Sequence, residues 1–181
     1  MGVRRLRGPD DIRAVIRAHG LAWQEAYEGV LPEDVLDQSV VDPTEEQVQG
    51  WYEQVRNHSD QFLVAEVDGT IRGYAYFRWN DAETKGFVGE DEAGLKEIYV
   101  DPNYWREGIG TELLERGLDV LPNDVTALKL EMLSGNEAGR KFYEKHGFER
   151  TDTSEFEIGD RLYQTDIYTL QLQPAWKNEM L

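Results

Sequence analysis

A mixed α/β domain with a largely antiparallel sheet is what the chain predicts, on three observations. Its 181 residues and 20.9 kDa suit one ordinary domain, and 40% hydrophobic with 11% aromatic residues is enough for a packed core. Hydrophobic spacing switches along the chain between the helical period of 3.6 and the strand period of 2. The switches run strand, helices, three strands, helix, strand, helix, hairpin, which is not the regular βαβαβ series of a doubly wound parallel sheet. On this reading residues 1–181 are one domain, with 173–181 a flexible tail.

Each element has a local cause. Arg4 to Arg7 reads as a short first strand. Pro9-Asp10-Asp11 opens a helix: proline suits a first turn, carboxylates suit the positive end of the helix dipole, and Ile12, Val15 and Ile16 share one face. Leu21 to Tyr27 reads as a second helical piece, and Leu31-Pro32-Glu33-Asp34 as another helix start. Thr44 and Gln47 make a capping box ahead of Val48, Trp51, Tyr52 and Val55 at helical spacing. Gln61 to Val67 and Ile71 to Trp79 read as strands joined at the hairpin signal Asp68-Gly69. Asn80 to Gly94 is polar, acidic and glycine-bearing, and reads as a long loop.

Leu95 to Val100 follows as a strand, then Gly108 to Leu118 as a helix with Ile109, Leu113, Leu114 and Leu118 inward. Thr126 to Leu133 reads as a strand, and Asn136 to His146 as a helix stopped by Gly147. Phe156 to Ile158 and Tyr163 to Leu172 alternate like a last hairpin around Gly159-Asp160, and that hairpin could pair across a homodimer.

Composition excludes several functions. With 36 acidic and 19 basic side chains the net charge is −17, so the chain repels phosphate backbones and general nucleic-acid binding is not expected. Cys is absent, which excludes a disulfide framework, a thiolate metal site and a Cys nucleophile. His19, His58 and His146 lie far apart without ligand spacing, so no metal site is expected. The basic start Met1 to Arg7 has no apolar stretch after it, and no membrane span is read, so a cytoplasmic location is expected.

The acidity has two readings. Arg outnumbers Lys 13 to 6, and carboxylates are dispersed, which suits a halophilic protein hydrated in concentrated salt. Screening falls to ~3 Å there. Alternatively, Asp81, Glu83, Glu90, Asp91 and Glu92 could attract a polyamine or a basic peptide.

The stretch Ile98-Tyr99-Val100-Asp101-Pro102-Asn103-Tyr104-Trp105-Arg106-Glu107-Gly108-Ile109-Gly110-Thr111 carries the chemistry. A strand runs through a proline turn into a helix that starts near two glycines. A helix start leaves about four N–H groups without intrahelical partners, and glycines let backbone amides approach a diphosphate. The full G-x-G-x-x-G is missing, since position 113 is Leu, and no Gly-Lys-Ser/Thr occurs.

With Asn136-Glu137-Ala138-Gly139-Arg140-Lys141-Phe142-Tyr143 and Gly147-Phe148 following in order after a strand, the chain resembles the GCN5-related N-acetyltransferase (GNAT) superfamily over roughly Arg4 to Leu172. One departure stands out. The Arg or Gln usual three residues before the first glycine is Trp105, with Arg106 one place later.

The resemblance implies a single GNAT-type domain: six to seven strands, mostly antiparallel, flanked by helices, with a splayed parallel pair, Leu95–Val100 and Thr126–Leu133, opening an acyl-CoA cleft. It implies transfer of acetyl from acetyl-CoA directly to a primary amine, either a small amine or a peptide or protein N-terminus. The alternative is a non-catalytic acyl-CoA-binding sensor or regulatory module. The expected cofactor contacts are Ile98, Tyr99 and Val100 along the pantetheine, Trp105, Arg106, Glu107, Gly108, Ile109, Gly110 and Thr111 at the diphosphate, and Asn136 and Tyr143.

Tyr143 matches the family's general acid for the departing thiolate, whose conjugate acid has a pKa of about 8.5 in a model thiol. A core aromatic beside Phe142 is the plainer role for it. Glu131 matches the base of bacterial enzymes that acetylate the N-terminal alanine of ribosomal proteins. Glu97 is the reserve base, and a water is the third choice, although on a strand Glu97 points opposite to Ile98 and Val100.

Overall fold

The computed structural model describes residues 1–79 and 84–172. Seven strands follow the order β1-β2-β3-β4-β5-β7-β6. They are β1 (Gly2–Arg5), β2 (Phe62–Val67), β3 (Thr70–Arg78), β4 (Glu92–Val100), β5 (Ala127–Leu133), β6 (Glu149–Ile158) and β7 (Arg161–Gln171). The helices are α1 (Pro9–Ala26), α2 (Glu33–Leu36), α3 (Glu45–Val55), α4 (Ile109–Val120) and α5 (Glu137–Lys145). β4 and β5 are parallel, while β1–β2, β2–β3, β5–β7 and β6–β7 are antiparallel, so the expected mixed sheet is present. The contacts fall into two compact units, Met1–Phe77 with Glu97–Val120, and Arg78–Lys96 with Leu121–Leu181.

In the first unit the core follows the predicted faces. Ile12, Val15 and Ile16 of α1 and Val48 and Val55 of α3 pack with Phe62, Val64 and Tyr74. Fully burying such side chains contributes about 1.5–3 kcal/mol each, far more than any surface pair. The two helical pieces expected before Tyr27 are one continuous α1, because nothing between Pro9 and Ala26 breaks it.

At the start of α1 the Asp11 carboxylate accepts from Arg4 at 2.8 and 2.9 Å and from the Arg7 N–H at 2.8 Å. The Arg4 guanidinium therefore holds Asp11 below the usual carboxylate range. The capping box forms as expected: the Gln47 N–H donates to Thr44 Oγ1 at 3.2 Å and the Thr44 N–H to Gln47 Oε1 at 2.9 Å. Asp68 and Gly69 both take positive φ, the hairpin geometry that joins β2 to β3.

On α4, Ile109, Leu113 and Leu114 are buried as expected, but Leu118 is only half-buried. Gly117 takes the packed position instead. A Cβ there would lie 1.9 Å from the Phe77 ring, so only glycine fits without repacking.

In the second unit β5 lies beside β7, with Glu131 opposite Ile167 and Leu133 opposite Thr165. Its parallel register with β4 runs Glu92–Ala127 to Gly94–Lys129. β4 thus begins at Glu92, three residues earlier than the loop reading allowed. Glu92 is accordingly a half-buried strand residue, bonded to Lys129 at 3.0 Å and accepting the Gly89 N–H at 2.7 Å. Of the other acidic residues in that stretch, Glu90 and Asp91 are exposed, and Asp81 and Glu83 lie outside the described residues, as does the tail 173–181.

The first strand of the last hairpin is ten residues long rather than three. Glu149 to Glu157 are all exposed, so there was no buried face to write an apolar alternation into the sequence.

Candidate active site

The first unit holds the turn between β4 and α4. Beyond β4 the Asp101 carboxylate accepts from the Asn103 N–H at 3.0 Å and from Asn103 Nδ2 at 3.1 Å, closing a 3₁₀ turn over Pro102–Tyr104. The Asp101 N–H donates to the Arg72 carbonyl at 2.7 Å, which fastens the turn to β3. Arg106 (φ 67) and Gly108 (φ 85) then adopt left-handed backbone just before α4. A non-glycine residue there costs about 1–2 kcal/mol, so the surroundings must hold Arg106 in place. Left-handed residues in a turn of this kind let successive N–H groups face one side, the backbone form of an anion nest.

At the start of α4 the Glu112 N–H donates to the Gly108 carbonyl at 3.0 Å. Arg106, Glu107 and Gly108 are exposed at this nest. The backbone thus fits a diphosphate without a cationic side chain at position 105. Trp105 is half-buried, and its indole Nε1 donates to the Val100 carbonyl at 2.7 Å, tying the helix entry to the end of β4.

Ile98, Tyr99 and Val100 are half-buried on β4. Glu97 Oε2 accepts the Tyr74 hydroxyl at 2.6 Å, and the Tyr74 oxygen lies 2.8 Å from His19 Nδ1. Tyr74 has one proton and donates it to Glu97, so its oxygen accepts from a His19 Nδ1–H. Tyr74 is fully buried, and burial, with the Glu97 charge beside it, pushes its phenol well above the ordinary tyrosine range. Around this chain His19 packs edge-on against Tyr99 at 4.9 Å and Trp51 at 5.4 Å, and Trp23 Nε1 donates to the Tyr99 hydroxyl at 3.2 Å. Sequence reading missed this cluster. Its members are 55 and 23 residues apart, and no local spacing links them.

The second unit holds Glu131, Asn136 and Tyr143. Asn136 is the N-cap of α5: its Oδ1 accepts the Gly139 N–H at 2.9 Å. A Cβ at position 139 would come within 2.7 Å of Asn136 Nδ2, so the Asn-x-x-Gly spacing has a packing reason. α5 ends in a Schellman cap. The Phe148 N–H reaches the Tyr143 carbonyl at 3.0 Å, the Gly147 N–H reaches the Glu144 carbonyl at 3.1 Å, and Gly147 has φ 89. The accompanying apolar contact is Phe148 against Tyr143, ring centroids 5.5 Å apart. Tyr143 is buried, with Phe142 at 5.4 Å and Tyr168 at 6.4 Å as further ring neighbours. Gly147-Phe148 therefore does more than stop a helix; it fixes the ring of Tyr143.

Glu131 accepts on both oxygens. Thr165 Oγ1 donates to Oε2 at 2.7 Å, and the Lys85 ammonium lies 2.6 Å from Oε1. Neither partner was read from sequence: Lys85 lies in a stretch taken as loop, and Thr165 is 34 residues away. Among the described residues no group of three or more His, Asp or Glu could hold a metal ion, and no helix is long and apolar enough to cross a membrane.

A strand running into a glycine-bearing turn and helix, followed by a strand and an Asn-capped helix bearing Tyr143, is the order of elements that the sequence resemblance implies. The chain belongs to the acetyltransferase (GNAT) family, whose model matches residues 21–148.

Over 59 residues it is 46% identical to the [ribosomal protein bS18]-alanine N-acetyltransferase of Escherichia coli K12. That match covers 32% of this chain and 40% of that one, so the chain matches less than half the length of this relative. Its fold is that of PaiA N-acetyltransferase from Thermoplasma acidophilum in complex with coenzyme A (TM-score 0.69, 21% identity, 94% of this chain and 98% of that one). It is likewise that of a ribosomal-protein-alanine N-acetyltransferase from Brucella melitensis (TM-score 0.69, 23% identity, 95% and 100%).

Proposed function

We propose that the protein is an acetyl-CoA-dependent N-acetyltransferase that moves an acetyl group directly to a primary amine, either a small amine or a peptide or protein N-terminus. The observation that carries this reading is the nest at Arg106 and Gly108, in a chain of the GNAT family. A diphosphate suits it because the amides are local donors, whatever the net charge.

Acetyl-CoA would supply an activated acyl group as a thioester. The chain's own residues then divide the work. The amides from 106 to 110 hold the diphosphate, since the Trp105 N–H is already spent on the Pro102 carbonyl at 3.2 Å, and the backbone of Ile98, Tyr99 and Val100 aligns the pantetheine like an added strand. Asn136 uses Oδ1 on its cap, so cofactor contact falls to its Nδ2. Glu131, aimed by Thr165, takes a proton from the acceptor ammonium, and Tyr143 gives one to the departing sulfur. Glu131 is preferred to Glu97 because it already holds an ammonium, whereas Glu97 holds a phenol. The relatives named for ribosomal-protein alanine point to an α-amine, whose ordinary pKa of ~7.7–8.0 leaves less proton to remove than a lysine's ~10.4.

The test is CoA release from acetyl-CoA across a panel of amines and peptide N-termini, in dilute and in concentrated salt. Release with any of them supports the enzyme. Tight acetyl-CoA binding with no release to any amine establishes the sensor reading instead. A cytoplasmic location and a salt-adapted surface accompany the proposal. The dispersed −17 charge supports the latter, and unfolding on removal of salt is its signature.

A further inference from the structure

The second unit already contains an ammonium on the carboxylate to which the proposed function assigns the acceptor's proton. Lys85 Nζ is 2.6 Å from Glu131 Oε1 and 4.9 Å from the centroid of the Phe156 ring. Carboxylate and ring face together form a cation holder. Its parts are not those of an incidental surface pair. The Glu131 side chain is only 9% exposed, and its second oxygen is fixed by Thr165, itself buried. Phe156 is among the few large apolar side chains left exposed in the described residues, and its ring faces the charge. The pair sits in a concavity also lined by Val88, Leu95 and Lys129. Lys129, which lines the same concavity, is engaged with Glu92 at 3.0 Å and the Phe87 carbonyl at 3.3 Å, whereas Lys85 is the cation in contact with Glu131 Oε1.

We infer that Lys85 is the resting occupant of the acceptor-amine subsite and is itself a site of acetylation by this enzyme, in cis. The inference rests on the acetyltransferase reading. Lys85 presents what an external acceptor must present, a primary ammonium in hydrogen-bond contact with the base, and it does so on a tether. Tethering replaces an encounter with a high effective concentration. In the step, Glu131 takes one proton from Nζ, the free lone pair attacks the thioester carbonyl, the Nζ–C bond forms and the C–S bond breaks. The bond's electron pair leaves on sulfur, which is protonated to give CoA thiol. The products are N-acetyl-Lys85, CoA and one proton. Acetylation removes the charge that held the side chain on Glu131, so the modified lysine leaves the carboxylate open to external amines.

The experiment incubates the full chain with acetyl-CoA and no added amine, and follows intact mass and the peptide carrying Lys85. The expected result is gain of one acetyl group on Lys85 at a rate independent of protein concentration, slowed ~10²–10⁴-fold in Glu131→Gln. Lys85→Arg gains no mass at that peptide. A protein that releases CoA to external amines yet keeps Lys85 unmodified overturns the inference and leaves the acetyltransferase reading intact. Modification that is equally fast in Glu131→Gln, or that rises with protein concentration, also overturns it. No modification and no CoA release to any amine would remove both.

Discussion

Two glutamates on neighbouring strands in the sheet order were candidates for one task, and their surroundings separate them. In the first unit Glu97 accepts from the fully buried phenol of Tyr74, which is coupled in turn to His19. In the second unit Glu131 accepts from the buried Thr165 hydroxyl on one oxygen and from an ammonium on the other. A carboxylate bonded to a neutral phenol of high pKa has a partner that neither gives up a proton nor leaves. A carboxylate bonded to a partly exposed lysine has a partner that can be exchanged for another amine. The lesson is that residue type does not separate the two candidates for the proposed base; the exchangeability of the partner does.

The largest expected effects test that contrast directly. Glu131→Gln and Tyr143→Phe should each lower turnover by ~10²–10⁴, the range for losing a general acid or base, with acetyl-CoA binding little changed. Glu97→Gln should cost less than about tenfold in the same steady-state assay. If Glu97→Gln is the more damaging, the two roles are reversed.

Next is the fixed side of the comparison. Tyr74→Phe removes a buried donor to Glu97 and should lower unfolding free energy by about 1–3 kcal/mol in denaturant titration. A change near zero would show that the Glu97–Tyr74 bond anchors nothing.

The alkaline limb sharpens the same point. Tyr74 has a folded pKa raised above the ordinary 10.0, so its contribution to stability is fully present below pH 10 and is lost as pH climbs from there toward the folded value, because the unfolded chain ionises first. Wild type should lose more stability above pH 10 than Tyr74→Phe.

The smallest effect belongs to the exchangeable side. Lys85→Ala should change stability by no more than about 1 kcal/mol, since the lysine is 43% exposed and water screens the pair. A larger loss would make the pair a structural strut.

Much of this architecture was legible because its causes are short-range. The Thr44–Gln47 box, the Asp68-Gly69 turn and the Gly147 stop each depend on residues within a few positions, and each formed where the sequence placed it. The sequence also marked the nest at 106–108, since glycine spacing and a helix start are local facts. Illegible were elements with no buried face, such as the first strand of the last hairpin, and the start of β4 at Glu92, where a partner 37 residues on, Lys129, turns an acidic loop residue into a strand residue. The site divided along the same line. The chain alone specified the turn before α4 and the helix that carries Tyr143, because hydrogen bonds of backbone to near neighbours build both. Only the tertiary structure decided that Glu97 faces a phenol and Glu131 an ammonium. Those partners arrive from 23 and 46 residues away, and their selection depends on sheet register and packing rather than on spacing.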